Sequence, residues 1–229
     1  MKMGRFVVFQ LATCLWALPI QGCATSYSAK DIELWVVDAE TKQPLPDVHV
    51  VAHWALELRR DGTRTLEIME AVTDQQGRVF FEGWGPKSVV PRFGELGALD
   101  TFDLKLTFFQ PGREVKVLNN DRYGPPFGPG EGPAVRTSMW DGHKVPLRTY
   151  TGSVEDYVMS LERISSGLNW GECGWTKVPK TVISLDREAQ RHAKVKPIYG
   201  IWILTIDRIK DLSKGRACED VDRILGSHQ

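Results

Sequence analysis

Five histidines and four cysteines are the side chains best suited to metal or nucleophilic chemistry in this sequence. Their spacing decides what they can do. His49 and His53 are four apart, which on a helix would put two ligands on one face. The residues around them predict a strand, where that spacing separates them by about 13 Å. They therefore read as two side chains on one sheet face, and no metal is expected. His143, His192 and His228 fall in a loop, a helix and the tail. No His-Glu-x-x-His, phosphate loop or Gly-x-Ser-x-Gly elbow occurs, so catalysis is not legible and no cofactor is expected. Asp38, Asp47, Asp74 and Asp121 occupy turn segments without the ordered alternation of a calcium loop. Cys23 is different, because a thiol directly after the small residue Gly22 is a plausible acyl acceptor.

The segment before Cys23 supports that chemistry. Lys2 and Arg5 precede an apolar run of 15 residues, Phe6 to Ile20, interrupted only by Gln10 and Thr13. A basic start and a short apolar core make a secretory signal, and the run is short of the roughly 20 residues a spanning helix needs. Ile20-Gln21-Gly22-Cys23 resembles the lipobox of bacterial lipoproteins. That resemblance implies a signal peptide over 1–22, acylation of Cys23, and, because Ala24 is not Asp, sorting to the outer membrane facing the periplasm. The membrane would then be a partner through the acyl chains. In that oxidising compartment the remaining pair, Cys173 and Cys218, most simply forms a disulfide; two free thiols or a metal pair are the alternatives.

Composition sets the outer bounds. The 229 residues carry 29 basic and 29 acidic side chains, with 25% charged and 42% hydrophobic overall. These values exclude a wholly disordered, collagen-like or polytopic membrane chain. Zero net charge also argues against phosphate-neutralising nucleic-acid binding.

The positioning elements come in two kinds. Ile32 to Val37 is rich in β-branched and aromatic residues, and Val48, Val50, Ala52, Trp54 and Leu56 share one face of a second strand. Asp74 and Gly77 build a tight turn ahead of Val79-Phe80-Phe81, and Pro111-Gly112 separates two further strands. The fold class expected is mainly β with α: an antiparallel β-sandwich followed by helices. "VVDAETKQPLPDVHVVAH", "AVTDQQGRVFFEGWGP" and "LTFFQPGREVKV" together resemble the carboxypeptidase regulatory-like domain, a transthyretin-like (immunoglobulin-like) sandwich, over Ile32 to Asn119. The resemblance implies a packing, docking or adhesive module. Enzymes of related topology differ in their signatures. Hydroxyisourate hydrolases carry Tyr-Arg-Gly-Ser, intradiol dioxygenases a His-x-His iron pair, and zinc carboxypeptidases His-x-x-Glu; all three are missing here.

The expected organisation is a signal peptide over 1–22, a lipidated N-terminus and linker over 23–30, and a sandwich over 31–119. A Gly/Pro-rich loop over 120–150 and a helical region over 151–229 complete it. In the loop, Tyr123, Phe127 and Trp140 are candidate partner-binding residues; the bland alternative is a connector wrapped along the sandwich edge. Ser153 and Asp156 mark a helix start, with Val154, Tyr157, Val158, Leu161 and Ile164 on one face. Pro179 opens a second helix running to about His192. Ile198 to Leu212 is ambiguous between helix and strand and is read as helix, with a last turn over Asp220 to Leu225.

Eight tryptophans invite one more reading. Trp35 and Trp54 belong to strands and are expected in the core. Trp84, Trp140, Trp170 and Trp175 fall in loops, where they would stack on sugars, anchor a partner, or plug the seam between sandwich and helices. The function expected is a non-catalytic, lipid-anchored binding or structural protein with an envelope protein partner. Glycan recognition through loop tryptophans is the alternative, and a hydrolase the third reading.

Overall fold

The computed structural model describes residues 25–58, 62–89, 97–99, 104–120, 135–166, 173–195, 203, 205–214, 218 and 221–226. The first half is built of strands β1 (Thr25–Ala29), β2 (Ile32–Asp38), β3 (His49–Leu58), β4 (Gly62–Val72) and β5 (Arg78–Phe81). β6 (Trp84–Val89), β7 (Gly97–Leu99), β8 (Lys105–Phe109), β9 (Lys116–Asn119), β10 (Val135–Arg136) and β11 (Lys144–Leu147) follow. Helices α1 (Val154–Ser166), α2 (Pro179–Arg191), α3 (Ile206–Ser213) and α4 (Val221–Leu225) complete the chain, with a 3-10 turn at Gly174–Lys177.

The strands form a β-sandwich-like arrangement of three sheets. The central sheet runs β4-β3-β8-β9 with β7 beside β3; two three-stranded sheets, β10-β1-β6 and β11-β2-β5, supply the rest. A single apolar core joins them. Val50, Ala52, Trp54 and Leu56 of β3 and Leu106 and Phe108 of β8 pack against Ile32, Leu34 and Val36 of β2, Phe81 of β5 and Val145 of β11. Trp54 and Trp84 meet edge to face with ring centroids 5.7 Å apart, filling the centre of this core. Gly77 is obligatory in its turn: its φ is +68°, and a Cβ would sit 2.4 Å from the Val36 carbonyl oxygen.

The helices lie on the opposite face of the central sheet. Val51, Ile68 and Phe109 leave the sandwich core and pack with Tyr157, Leu161, Ile164, Trp175, Val182, Leu185, Ile209 and Leu225 in a second core. β3 is consequently largely buried on both faces: Val50, Ala52, Trp54 and Leu56 face the sandwich core, while Val51 joins the second core on a face that also carries His49 and His53.

Five expectations need correction. The segment 23–30, read as a linker, holds β1, whose Tyr27 is buried beneath the Arg136 guanidinium at 4.9 Å from the ring centre. The segment 120–150, read as a loop, supplies β10 and β11 from its second half. Both pair in parallel, β10 with β1 and β11 with β2, so the sheets are not wholly antiparallel. About a hundred residues separate the two strands of each pair, ample for the crossover that parallel pairing requires. Trp35 is only half-buried, on the face of β2 opposite Leu34 and Val36. Finally, helix α3 begins only at Ile206, where Thr205 caps it by accepting from the Arg208 N–H at 3.3 Å.

Candidate functional site

Acidic side chains fix the helical layer to the sheet. The N-cap position of α2 is Val178, which has no group to accept from the first amides. Glu70 of β4 does this work from across the interface, accepting from the N–H groups of Lys180 at 2.9 Å and Thr181 at 2.8 Å and from the Thr181 hydroxyl at 2.9 Å. A carboxylate suits that helix end on both hydrogen-bonding and dipole grounds. Asp186, buried in α2, accepts the Ile206 N–H at 2.9 Å and so orders the start of α3. Glu188, also buried, accepts the Tyr157 hydroxyl at 2.8 Å and the Arg191 guanidinium at 2.7 Å. The Tyr157 oxygen in turn accepts the Gly112 N–H at 2.8 Å, tying α1, α2 and the β8–β9 turn together. Burial, reinforced by the Glu188 carboxylate, holds the Tyr157 hydroxyl well above its ordinary pKa and therefore protonated.

Two clefts flank that β8–β9 turn. An antiparallel bridge between Arg113 and Thr149, with the Glu114 N–H donating to the Arg148 carbonyl at 3.0 Å, makes a short ribbon. Arg113 is held from behind by Asp38 at 2.7 Å. Hydrogen bonds from the Thr41 N–H, the Arg113 side chain and the Glu40 N–H hold the Asp38 carboxyl far below the usual carboxylate range. Clefts of about 750 and 400 Å³ open on either side of the ribbon and share Glu114 and Val115. The larger is acidic, with Glu114, Asp156 and Glu162 against Arg163, and Tyr150 and Met159 supply apolar surface. Burial, then Asp156 and Glu114, raises the Tyr150 hydroxyl pKa. The smaller cleft is basic, lined by Lys42, Lys116 and Arg148. Lys116 donates to the Pro146 carbonyl at 3.0 Å, and burial and the nearby Arg148 lower its pKa.

The residues singled out in the sequence are dispersed. Cys23, Tyr123 and Phe127 lie outside the described residues, as do Trp170, His228 and most of the stretch from Ile198 to Thr205. Trp140 is half-buried against the sandwich core, its indole N–H donating to the Asn119 carbonyl at 3.0 Å. Trp84 and Trp175 sit inside the first and second cores respectively and present no open ring face. Cys173 and Cys218 are at disulfide distance, with Cα atoms 5.7 Å apart, so the pair can clasp the segment before α2 to the segment before α4. His49 and His53 do share the helix-facing side of β3, and His53 exchanges a hydrogen bond with the Thr65 hydroxyl at 3.0 Å. Among the described residues no three His, Cys, Asp or Glu side chains converge for a metal, and no helix is long and apolar enough to cross a membrane.

Glu70, Asp186, Glu188 and the clefts beside the ribbon were not identified from sequence. The carboxylates lie in amphipathic segments where any surface acid would look the same, and their partners are 20 or more residues away. The ribbon had one available signal, the Gln110-Pro111-Gly112-Arg113 turn, but nothing local indicates that 148–149 returns to pair with it.

No protein-family model matches the chain, and no curated protein matches it. Two solved structures share local geometry. A 3-chlorocatechol 1,2-dioxygenase from Rhodococcus opacus 1CP aligns at 14% identity over 58% of this chain and 64% of its own, with a TM-score of 0.30. A 9R-lipoxygenase from Cyanothece PCC8801 aligns at 13% identity over 76% of this chain and 25% of its own, with a TM-score of 0.25. The chain spans less than two thirds of the length of either protein, and at these TM-scores neither likeness carries an argument about fold or function.

Proposed function

We propose that this chain is a lipid-anchored, non-catalytic protein-interaction module of the bacterial outer membrane, with a transthyretin-like sandwich facing the periplasm. The anchor rests on the lipobox-like Ile20-Gln21-Gly22-Cys23, and the family of the sandwich on its turn motifs. The observation that carries the interaction reading is the pair of oppositely charged clefts flanking the Arg113–Thr149 ribbon. An extended protein segment crossing the ribbon would place basic side chains against Glu114, Asp156 and Glu162 and acidic ones against Lys42 and Arg148. With Trp84 and Trp175 inside the cores, a sugar platform would have to use other residues.

The test combines the anchor with the clefts. Wild-type chain, Cys23→Ser and the charge reversals Glu162→Lys and Arg148→Glu are purified from detergent-extracted membranes and compared. The expected result is an acylated mass lost in Cys23→Ser, and a co-purifying protein retained by wild type but lost in both charge reversals. An acylated mass that persists in Cys23→Ser overturns the anchor. A partner indifferent to both reversals overturns the assignment of the clefts.

A further inference from the structure

β1 begins two residues after Cys23, and it is not a loose arm. Thr25, Ser26 and Tyr27 pair with Val89, Ser88 and Lys87 of β6, and Ser28 and Ala29 pair with Val135 and Arg136 of β10. Tyr27 is buried beneath Arg136, and the Lys30 N–H donates to the Arg136 carbonyl at 2.9 Å. Peeling β1 away would open both ladders and expose that ring. Two residues of fully extended chain span at most about 7 Å. Whatever holds Cys23 therefore holds the start of β1 within that reach, with the end of β6 one strand spacing further on.

The other end of the sandwich is fixed by the same strands. β1 and β2 run on as one path, paired first with β6 and then with β5, from Thr25 opposite Val89 to Trp35 opposite Arg78. Asp38, at the far end of that path, holds Arg113 of the ribbon. The central sheet gives a second measure. Lys87 donates to the Leu66 carbonyl at 3.3 Å, and the residues on either side of Leu66 stand opposite Trp54 and Ala55 of β3. Gln110, at the ribbon turn, donates instead to the Pro46 carbonyl at 2.8 Å, just before β3 begins at His49. Trp54 is five residues beyond His49, about 17 Å along an extended strand. The start of β1 and the ribbon thus lie at opposite ends of the sandwich.

We propose that the end of the sandwich carrying Ser26 and Ser88 seats directly on lipid headgroups, so that the clefts beside the ribbon face away from the membrane; this rests on the reading of Cys23 as the acylated residue. The acyl chains hold Cys23 at the hydrocarbon boundary, where the polar layer is only about 5–7 Å deep on each side. A tether of at most about 7 Å cannot carry the domain clear of that layer. The surface brought there is suited to rest on headgroups and not to insert. Ser26 and Ser88 are exposed and directly opposite each other, and the Lys87 ammonium beside them is bonded to Glu67. Tyr27 and Trp84, the aromatic residues of these two strands, belong to the core instead. A protein partner can then reach the ribbon clefts without touching the bilayer.

The experiment uses the full chain purified from membranes, its acylated mass confirmed, in vesicles of phosphatidylethanolamine and phosphatidylglycerol that include a nitroxide-headgroup lipid. A fluorophore is attached at Ser88→Cys or, separately, at Gln75→Cys, which is exposed in the turn whose Gly77 carbonyl accepts the Val36 N–H near the ribbon end. The unsubstituted chain, labelled in parallel, subtracts any reaction at Cys173 and Cys218. Loss of most of the fluorescence is expected at position 88 and no loss at position 75. Ser26→Cys, on the facing strand, repeats the measurement should Ser88→Cys fail to fold. A flexible Gly/Ser insertion of about 20 residues between Ala24 and Thr25 reaches roughly 25 Å and should restore the fluorescence at position 88 several-fold. In an acylated chain, equal quenching at the two positions, or quenching at position 88 that survives the insertion, overturns the seating and leaves the anchor standing. A chain without the acyl mass overturns the anchor and the seating with it.

Discussion

The two faces of the central sheet are held by different physics. On the sandwich side, β3 and β8 meet β2, β5 and β11 through an apolar core, and polar side-chain ties such as Arg113 to Asp38 and Lys116 to the Pro146 carbonyl stand at its rim. On the helix side the apolar contacts are supplemented by three carboxylates, Glu70, Asp186 and Glu188, each joining segments distant in the chain. A cysteine pair at disulfide distance adds a further tie. Helices laid on a sheet have no ladder to fix their register, so directional bonds must do so; apolar burial is strong but weakly directional. The sandwich is thus the scaffold, and the helical layer is the part whose placement depends on charge, protonation and redox state.

Four perturbations would break or sharpen that contrast. The largest belongs to the sandwich. Trp54 is 1% exposed and locked edge-on against Trp84, so Trp54→Ala removes the centre of the first core. A loss of about 3–5 kcal/mol is expected, with sheet and helices unfolding together in urea followed by circular dichroism. A helical layer that survives while the sandwich melts would reverse the dependence argued above.

Next is the cysteine pair. Bridging a sequence separation of 45 residues stabilises by roughly 3–4 kcal/mol in the chain-entropy account. The double substitution Cys173→Ser, Cys218→Ser should therefore lower the unfolding midpoint of the helical layer while leaving the sandwich transition in place. Non-reducing peptide mapping is the direct check, and free thiols at both positions would remove the tie from this picture.

Acid comes third. His53 is buried, and burial followed by the charge of Lys105 lowers its pKa from 6.5 to about 4; His49 shifts likewise. The unfolded chain binds these protons more readily than the folded one, so their contribution is fully present above about pH 6.5 and is lost as pH falls toward 4. For His53 the loss is on the order of 3 kcal/mol. His53→Asn should flatten the decline in stability between those pH values; a wild-type stability that stays level across the same interval would contradict the burial of the His53 ring in the folded state.

What could be read from sequence follows the same division. The face Val48, Val50, Ala52, Trp54 and Leu56 is in the first core as its alternation predicts, and the Asp74 side chain accepts from the Gln76 and Arg78 amides around Gly77 in the expected turn. The Ser153 hydroxyl accepts the Asp156 N–H at 3.1 Å, so the start of α1 was also legible. All of these are interactions within a few residues, or a periodicity imposed by one flat face. The parallel strand β11, by contrast, pairs with β2 about a hundred residues earlier, and Val145 and Leu147 carry no mark of their partner. Trp35 misled because the strand was read by composition and not by phase: Glu33 shares its face and marks that face as the outward one.

Glu70 is the plainest instance of a nonlocal bond, and its removal is the smallest effect of the four. The residue lies in β4, where Glu67 on the same strand pairs with Lys87 and nothing in the sequence separates the two acids by purpose. What separates them is Val178-Pro179, a helix start without a capping side chain, which the fold brings beside β4. Glu70→Gln keeps a carbonyl acceptor but loses the charge that complements the helix dipole; Glu70→Ala loses both. Losses of about 0.5 and about 1–2 kcal/mol are expected in that order, confined to the helical layer and visible as faster amide exchange at Lys180 and Thr181. Equal losses for the two variants would show that the charge contributes nothing and that hydrogen-bond geometry alone sets α2 on the sheet. A larger loss for Gln than for Ala would mean that the interface tolerates an uncapped helix better than a misplaced amide, and the charged carboxylate would then be a requirement of packing rather than of capping.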